Sequence, residues 1–228
     1  MKIVSFWHPS IYNYTMKILT LILSLTLSLF SYSKEFSYDY IETKLSRLNT
    51  ENKLGIEKDY FSVSYSKSLN NNFSFKLDLE KMDGDCRTND CEYRYLEGNT
   101  LSIDGMYHYP IISKTDLIHS IGYTYSSTEN NCFSGGTGEC LIPQINSKVN
   151  SKKYSIKSGF KHLLIDDIEI QLQYIYTKTE KNNSKNRETD LLILKSINKE
   201  FSVGVNYLWD ISSGNNMDRF GLLLRQDF

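Results

Sequence analysis

The chain has 228 residues, of which 40% are hydrophobic and 23% charged, with a formal net charge of −1. That length suits one domain, and the near-balance of charge argues against a nucleic-acid partner, which calls for a basic face.

At the start of the chain, Met16 and Lys17 precede an uncharged apolar run from Ile18 to Phe30, followed by Ser31, Tyr32 and Ser33. A positive start, a short apolar core and small residues two apart match a secretory signal peptide cleaved after Ser33. The run is about thirteen residues, short of the roughly 20 that a membrane-spanning helix requires. Residues 1–15 lie upstream of a second candidate start at Met16. The mature part, residues 34–228, loses two of the 26 basic residues and none of the 27 acidic ones, for a net charge of −3. No later window approaches the length of apolar sequence that a transmembrane helix needs. A closed β-barrel is the other structure that satisfies its backbone in lipid.

Apolar and polar residues alternate along most of residues 34–228. The alternation predicts ten strands, at about 36–46, 58–68, 72–82, 100–110, 115–126, 152–163, 166–179, 188–197, 200–210 and 217–228. In the seventh, Ile168, Ile170, Leu172, Tyr174 and Tyr176 share one face while Glu169, Gln171 and Gln173 take the other. In the ninth, Phe201, Val203, Val205, Tyr207 and Trp209 share a face in the same way. Period-two patterning is the mark of a strand with one apolar and one polar face. Each run is near the nine to eleven residues that a tilted strand needs to cross a bilayer. The run from Leu191 to Leu194 is continuously apolar, so its register is open. Eight strands remain an alternative if two weak segments are loop.

The connections alternate too. Short turns are expected at 69–72, 112–114, 164–166 and 198–199, and long polar segments at 83–99 and 127–151. Cys86 and Cys91 fall in the first long segment, Cys132 and Cys140 in the second. An even cysteine count in an exported chain reads first as disulfides, with three connectivities open, of which pairing within each loop is the simplest. Phe133 to Gly138 has glycines but no following lysine and no strand-to-helix context, so it fails as a phosphate loop. The basic stretch from Lys178 to Arg187 is expected as a solvated external loop, with lipopolysaccharide phosphates as the alternative contact.

Aromatics cluster at both ends of the apolar face, as the two interfacial girdles of a lipid-facing band would. The opposite face carries Lys76, Asp78, Glu80, Lys157, Lys161, Glu169, Arg219 and Arg225, which predicts a charged lumen. Gly122, Gly159, Gly204 and Gly221 fall on that inner face and Gly105 on the outer one. The fold class expected is therefore all-β, a closed antiparallel up-and-down transmembrane β-barrel over residues 34–228, with ten strands preferred.

The last residues (FGLLLRQDF) resemble the C-terminal assembly signal of outer-membrane proteins, with Phe220, Leu222, Leu224 and Phe228 at the alternate positions and Gln226 departing from the pattern. With Tyr38 to Glu42 (YDYIE), Gly105 to Pro110 (GMYHYP) and Phe201 to Tyr207 (FSVGVNY), they resemble small proteobacterial porin-like barrels of the OmpX and OmpA-domain kind. The resemblance implies a Gram-negative outer-membrane location and recognition by the barrel-assembly machinery. It implies outer-membrane lipid and lipopolysaccharide as surroundings, with a small solute or host surface ligand as further candidates.

Enzyme chemistry is tested on histidine, the usual base at neutral pH. His108 and His162 lie beside short turns and His119 on the lipid face, none of them where outer-leaflet lipid or an external peptide would be cleaved. The sequence thus predicts no catalytic, metal or cofactor site. It points to a structural, surface-interaction or narrow porin-like role, with a small-solute channel and then a lipid A-modifying enzyme as alternatives.

Overall fold

The computed structural model describes residues 36–50, 56–88, 91–133, 147–180, 183–212 and 217–228. Ten strands follow in chain order: β1 (Tyr40–Thr50), β2 (Ile56–Ser68), β3 (Phe73–Thr88), β4 (Cys91–Ile112), β5 (Thr115–Phe133), β6 (Ser147–Ile165), β7 (Ile168–Thr179), β8 (Lys185–Ser196), β9 (Phe201–Asp210) and β10 (Met217–Asp227). Each pairs antiparallel with its chain neighbours. β1 also pairs with β10, from Tyr40 opposite Asp227 to Thr50 opposite Met217, which closes the barrel. Closure gives every strand two partners and removes the unpaired edges that an open sheet exposes.

Alternation decides which face each residue takes. Along β10, Phe220, Leu222, Leu224 and Phe228 are exposed, while Gly221, Leu223, Arg225 and Asp227 are buried. The outward apolar stretches of β4, β5, β7, β9 and β10 run Leu101–Tyr109, Leu117–Tyr125, Ile168–Tyr176, Phe201–Trp209 and Phe220–Phe228. At about 3.4 Å per residue and a tilt near 40°, each climbs roughly 21 Å along the barrel axis, close to the ~25 Å lipid-facing band of membrane barrels. Outward ion pairs mark where the band ends: Arg47–Asp59 at 2.9 Å, Lys81–Glu97 at 3.2 Å and Lys148–Glu129 at 2.7 Å.

Three regions differ most from the sequence expectation. β1 begins at Tyr40 rather than residue 36, because β10 ends opposite it and leaves Phe36–Asp39 without a ladder partner on that side. The segment 83–99 is not a loop: β3 runs to Thr88 and β4 starts at Cys91. Likewise β5 runs to Phe133 and β6 starts at Ser147, which shortens the expected 127–151 connection. Above the lipid band both faces of a strand meet water, so alternation vanishes from the sequence while the hydrogen-bond ladder continues. β3–β6 are accordingly 16, 22, 19 and 19 residues long, against 10–13 for the others.

The open register of β8 is settled by neighbours. Leu192 and Leu194 turn inward and join Leu223 of β10 in a small apolar core, while Ile193 faces out. A Cβ on Gly159 would run into the Leu172 carbonyl and come within 2.7 Å of Gln173 Cα, so this inner position admits no side chain without a backbone shift. Gly105, on the outer face, has nothing within 4 Å of the same point.

Candidate functional site

The lumen is where the chain concentrates polar chemistry. Of the charged residues expected there, Lys76, Lys157, Lys161 and Arg225 line its cavity, and Asp78, Glu80, Glu169 and Arg219 take part in ion pairs at successive distances from the short-turn end.

The lowest layer closes the mouth. Arg225 donates to Glu42 Oε2 from Nε at 3.0 Å and from Nη2 at 2.7 Å, and to Glu169 Oε1 at 3.2 Å. Lys161 lies 3.3 Å from Glu169. Beneath this network Phe36–Asp39 turn across the opening. The Tyr38 ring stacks on His108 at 3.5 Å between centroids, and its hydroxyl donates to Asp116 at 2.8 Å. His108 and Asp116 sit on β4 and β5, across the lumen from β1. Lys161 Nζ sits 4.4 Å from the Tyr38 ring and 5.5 Å from that of Phe36, and the Ser66 hydroxyl ties down the Tyr38 carbonyl at 2.7 Å. His108 Nε2 is buried with no hydrogen-bond partner among the described residues.

Higher up, Lys157 bonds Asp104 at 2.7 Å and Lys76 lies 3.1 Å from Asp78, which also accepts from Ser64. Asn206 donates to Asp190. A cavity of about 90 Å³ opens among Lys44, Lys76, Lys157, Gln173, Asn206 and Arg225. Since a water needs on the order of 10–15 Å³ of such space, this holds a few waters and no sizeable solute. The top layer is the Arg219–Glu80 pair at 2.9 Å, with the guanidinium 4.6 Å from the Tyr60 ring.

Exposure is lowest in the bottom layer, and Asp104 above it is also almost fully buried, at 3%. The side chains of Lys161, Arg225, Glu42 and Glu169 are 2–7% exposed. Those of Lys76, Asp78, Arg219 and Glu80 are 17–23% exposed. Within the described residues the lumen is therefore packed most tightly at its short-turn end.

Sequence reasoning missed the residues that make the seal. Tyr38, Tyr40, Glu42 and Asp116 were not expected at a site, although Glu42 and Asp116 are charges inside apolar strands, the same signal that flagged Glu169. Tyr38 carried no such signal, because its partners lie on β4 and β5, distant in sequence. The three described histidines stay at the short-turn half: His162 shares a hydrogen bond with Thr115 at 2.8 Å, and outward His119 meets Ser158 at 3.1 Å. Among the described residues no cluster of His, Cys, Asp and Glu could hold a metal ion.

Of the cysteines, Cys86, Cys91 and Cys132 lie on extended strands rather than loops, with Cys86 opposite Arg94 and Cys91 opposite Thr88 in the backbone register. Their side chains, and Cys140 altogether, lie outside the described residues, as does the expected signal peptide. The basic stretch from Lys178 to Arg187 is in part strand: Lys178 belongs to β7, and Lys185 to Arg187 belong to β8. Hairpin pairing of Lys178 with Lys185 shortens the expected loop.

Several solved structures share this architecture. The translocator domain of autotransporter NalP from Neisseria meningitidis is 8% identical, with 95% of this chain and 96% of that one covered and a TM-score of 0.53. The β domain of the Bordetella autotransporter BrkA is 10% identical, covering 83% of this chain and 98% of its own, with a TM-score of 0.50. The fold is that of an outer-membrane β-barrel. At these identities the likeness bears on the fold alone. No family model and no curated protein matches the sequence.

Proposed function

We propose that this protein is a non-enzymatic outer-membrane barrel, sealed at its periplasmic end, with a structural or surface-interaction role. On this reading a leader ending at Ser33 directs export, the assembly machinery reads Phe220, Leu222, Leu224 and Phe228, and the short turns face the periplasm. The long ends of β3–β6 then stand outside the cell. The observation that carries the sealed reading is the short-turn mouth, where Tyr38, stacked on His108, covers the buried Arg225–Glu42–Glu169–Lys161 network. The absence of a histidine near the outward end of the described lumen supports the non-enzymatic part.

A narrow channel is the second reading, favoured by the water-accessible upper lumen and its cavity. Single-channel recording on the mature chain in planar bilayers separates the two. The sealed barrel is expected to give no stable conductance steps, and regular steps from the unmodified protein select the channel. Heat-modifiable migration on SDS gels tests the membrane barrel itself, and a mature chain that fractionates as a soluble protein removes that reading altogether.

A further inference from the structure

The outward cations at the top of the lipid band are not all alike. Arg47 is held by Asp59, Lys81 by Glu97, Lys148 by Glu129, and Lys152 lies 3.8 Å from Glu180. Lys178, Lys185 and Arg187 differ: among the described residues none of the three has a carboxylate in salt-bridge reach. They also stand together. Lys178 on β7 is directly opposite Lys185 on β8, and Arg187 is opposite Tyr176 one rung nearer the membrane. Alternation from Tyr174 and Tyr176 turns all three outward, and all three are exposed. Like charges facing each other across an antiparallel pair are destabilising unless an anion lies between them.

Tyr154 stands beside Lys178, and below Lys178 the outward face of β7 runs through Tyr176, Tyr174 and Leu172 into the lipid band, with Ser158 and Thr189 on either side of Tyr174 and Phe160 and Leu191 on either side of Leu172. The geometry points to a lipid with anionic headgroup and apolar tails. We propose that β7 and β8 hold the phosphate groups of an outer-leaflet glycolipid between Lys178, Lys185 and Arg187, with its acyl chains laid along the tyrosine column beneath. This inference rests on the outer-membrane reading, and it adds a specific lipid site that the barrel alone does not require. The paired cations elsewhere on the rim are already neutralised and offer no equal attraction. Arginine adds a planar fork that matches a phosphate edge, so the three donors can reach two oxygens of one group and a neighbouring second group.

The test uses the mature barrel in detergent micelles, with bis-phosphorylated lipid A as probe and dephosphorylated lipid A as control. Binding is read by native mass spectrometry. A cationic side chain beside an anionic lipid surface is worth roughly a fivefold factor in affinity, so losing three is expected to weaken binding on the order of 100-fold. The variant is Lys178→Gln with Lys185→Gln and Arg187→Gln. A second triple variant, Arg47→Gln with Lys81→Gln and Lys148→Gln, removes the same charge from paired positions and is expected to bind nearly as well as the parent. Heat-modifiable migration shows that both variants are folded. Equal loss in the two variants, full retention by the first, or equal binding of the dephosphorylated lipid overturns the site. Displacement by inorganic phosphate alone would falsify the lipid assignment by revealing a free-ion site. None of those results touches the barrel reading, which falls only if the mature chain proves soluble.

Discussion

Arg225 shows how much one residue settles in a lumen of this width. It lies 4.1 Å over the Tyr40 ring and bonds two carboxylates, in a layer almost without solvent. Removing one partner of a buried ion pair costs about 3–5 kcal/mol, because a charge is left without compensation. Arg225→Leu is expected to destabilise the barrel by about that much, since Glu42 loses both of its guanidinium donors. Adding Glu42→Gln should recover a substantial part. Urea unfolding of the detergent-refolded chain measures both variants. A double variant no more stable than the single one would show that the cost lies in packing against Tyr40 and not in the stranded carboxylate.

At the scale of elements, the extended β3–β4 hairpin is the largest departure from what the sequence pattern suggests. Within the lipid band, outward positions must be apolar, so alternation is written into the sequence. Beyond it the only remaining constraint is the ladder, which any residue but proline can join. Stretches such as Ser127–Asn131 therefore read as loop and fold as strand. It follows that the part of the hairpin beyond Gly84 and Leu96, which pair across β3 and β4, is not needed for closure. Replacing residues 85–95 with Asn-Gly, a two-residue turn suited to antiparallel strands, is expected to leave the barrel folded and heat-modifiable. The replacement removes Cys86 and Cys91 together and so leaves no odd thiol from that pair. Loss of the heat shift in the trimmed chain would mean that the protruding strands help to build the barrel below them.

For the molecule as a whole, closure is completed at one corner of the short-turn end. Asp39 accepts from Lys67 Nζ at 2.6 Å and from the Ser68 N–H at 2.5 Å, and its own carbonyl accepts from Phe228 N at 3.2 Å. The start of the barrel, the end of β2 and the last residue meet there. Burial alone raises the Asp39 carboxyl, but the Lys67 ammonium and the Ser68 N–H outweigh it and hold the group below its ordinary value. A carboxylate held low in the folded state adds stability above its unfolded pKa of about 4 and loses it as pH falls through the lower folded value. Asp39→Asn is therefore expected to lower the urea midpoint at neutral pH and to match the parent once acid protonates the carboxyl in both states. An equal deficit at every pH would point to lost geometry at the corner instead of lost charge.

The ten-strand barrel, its apolar outer face and the eight lumen charges could be read from the chain because each follows from a period of two within a strand. A residue such as Glu169 declares its side by its neighbours at 168 and 170 alone. The inward turn of Leu192 and Leu194 could not be read so, since in a continuous apolar run either register looks the same until β7 and β9 set it. Nor could the seal. Tyr38 meets His108 and Asp116 only because closure brings β1 across from β4 and β5, and it turns inward only because β10 ends beside Tyr40. The sequence by itself determines the local face of each strand residue. The tertiary structure alone decides where the ladders stop, which charges meet across the lumen, and that the described lumen is packed most tightly at its short-turn end.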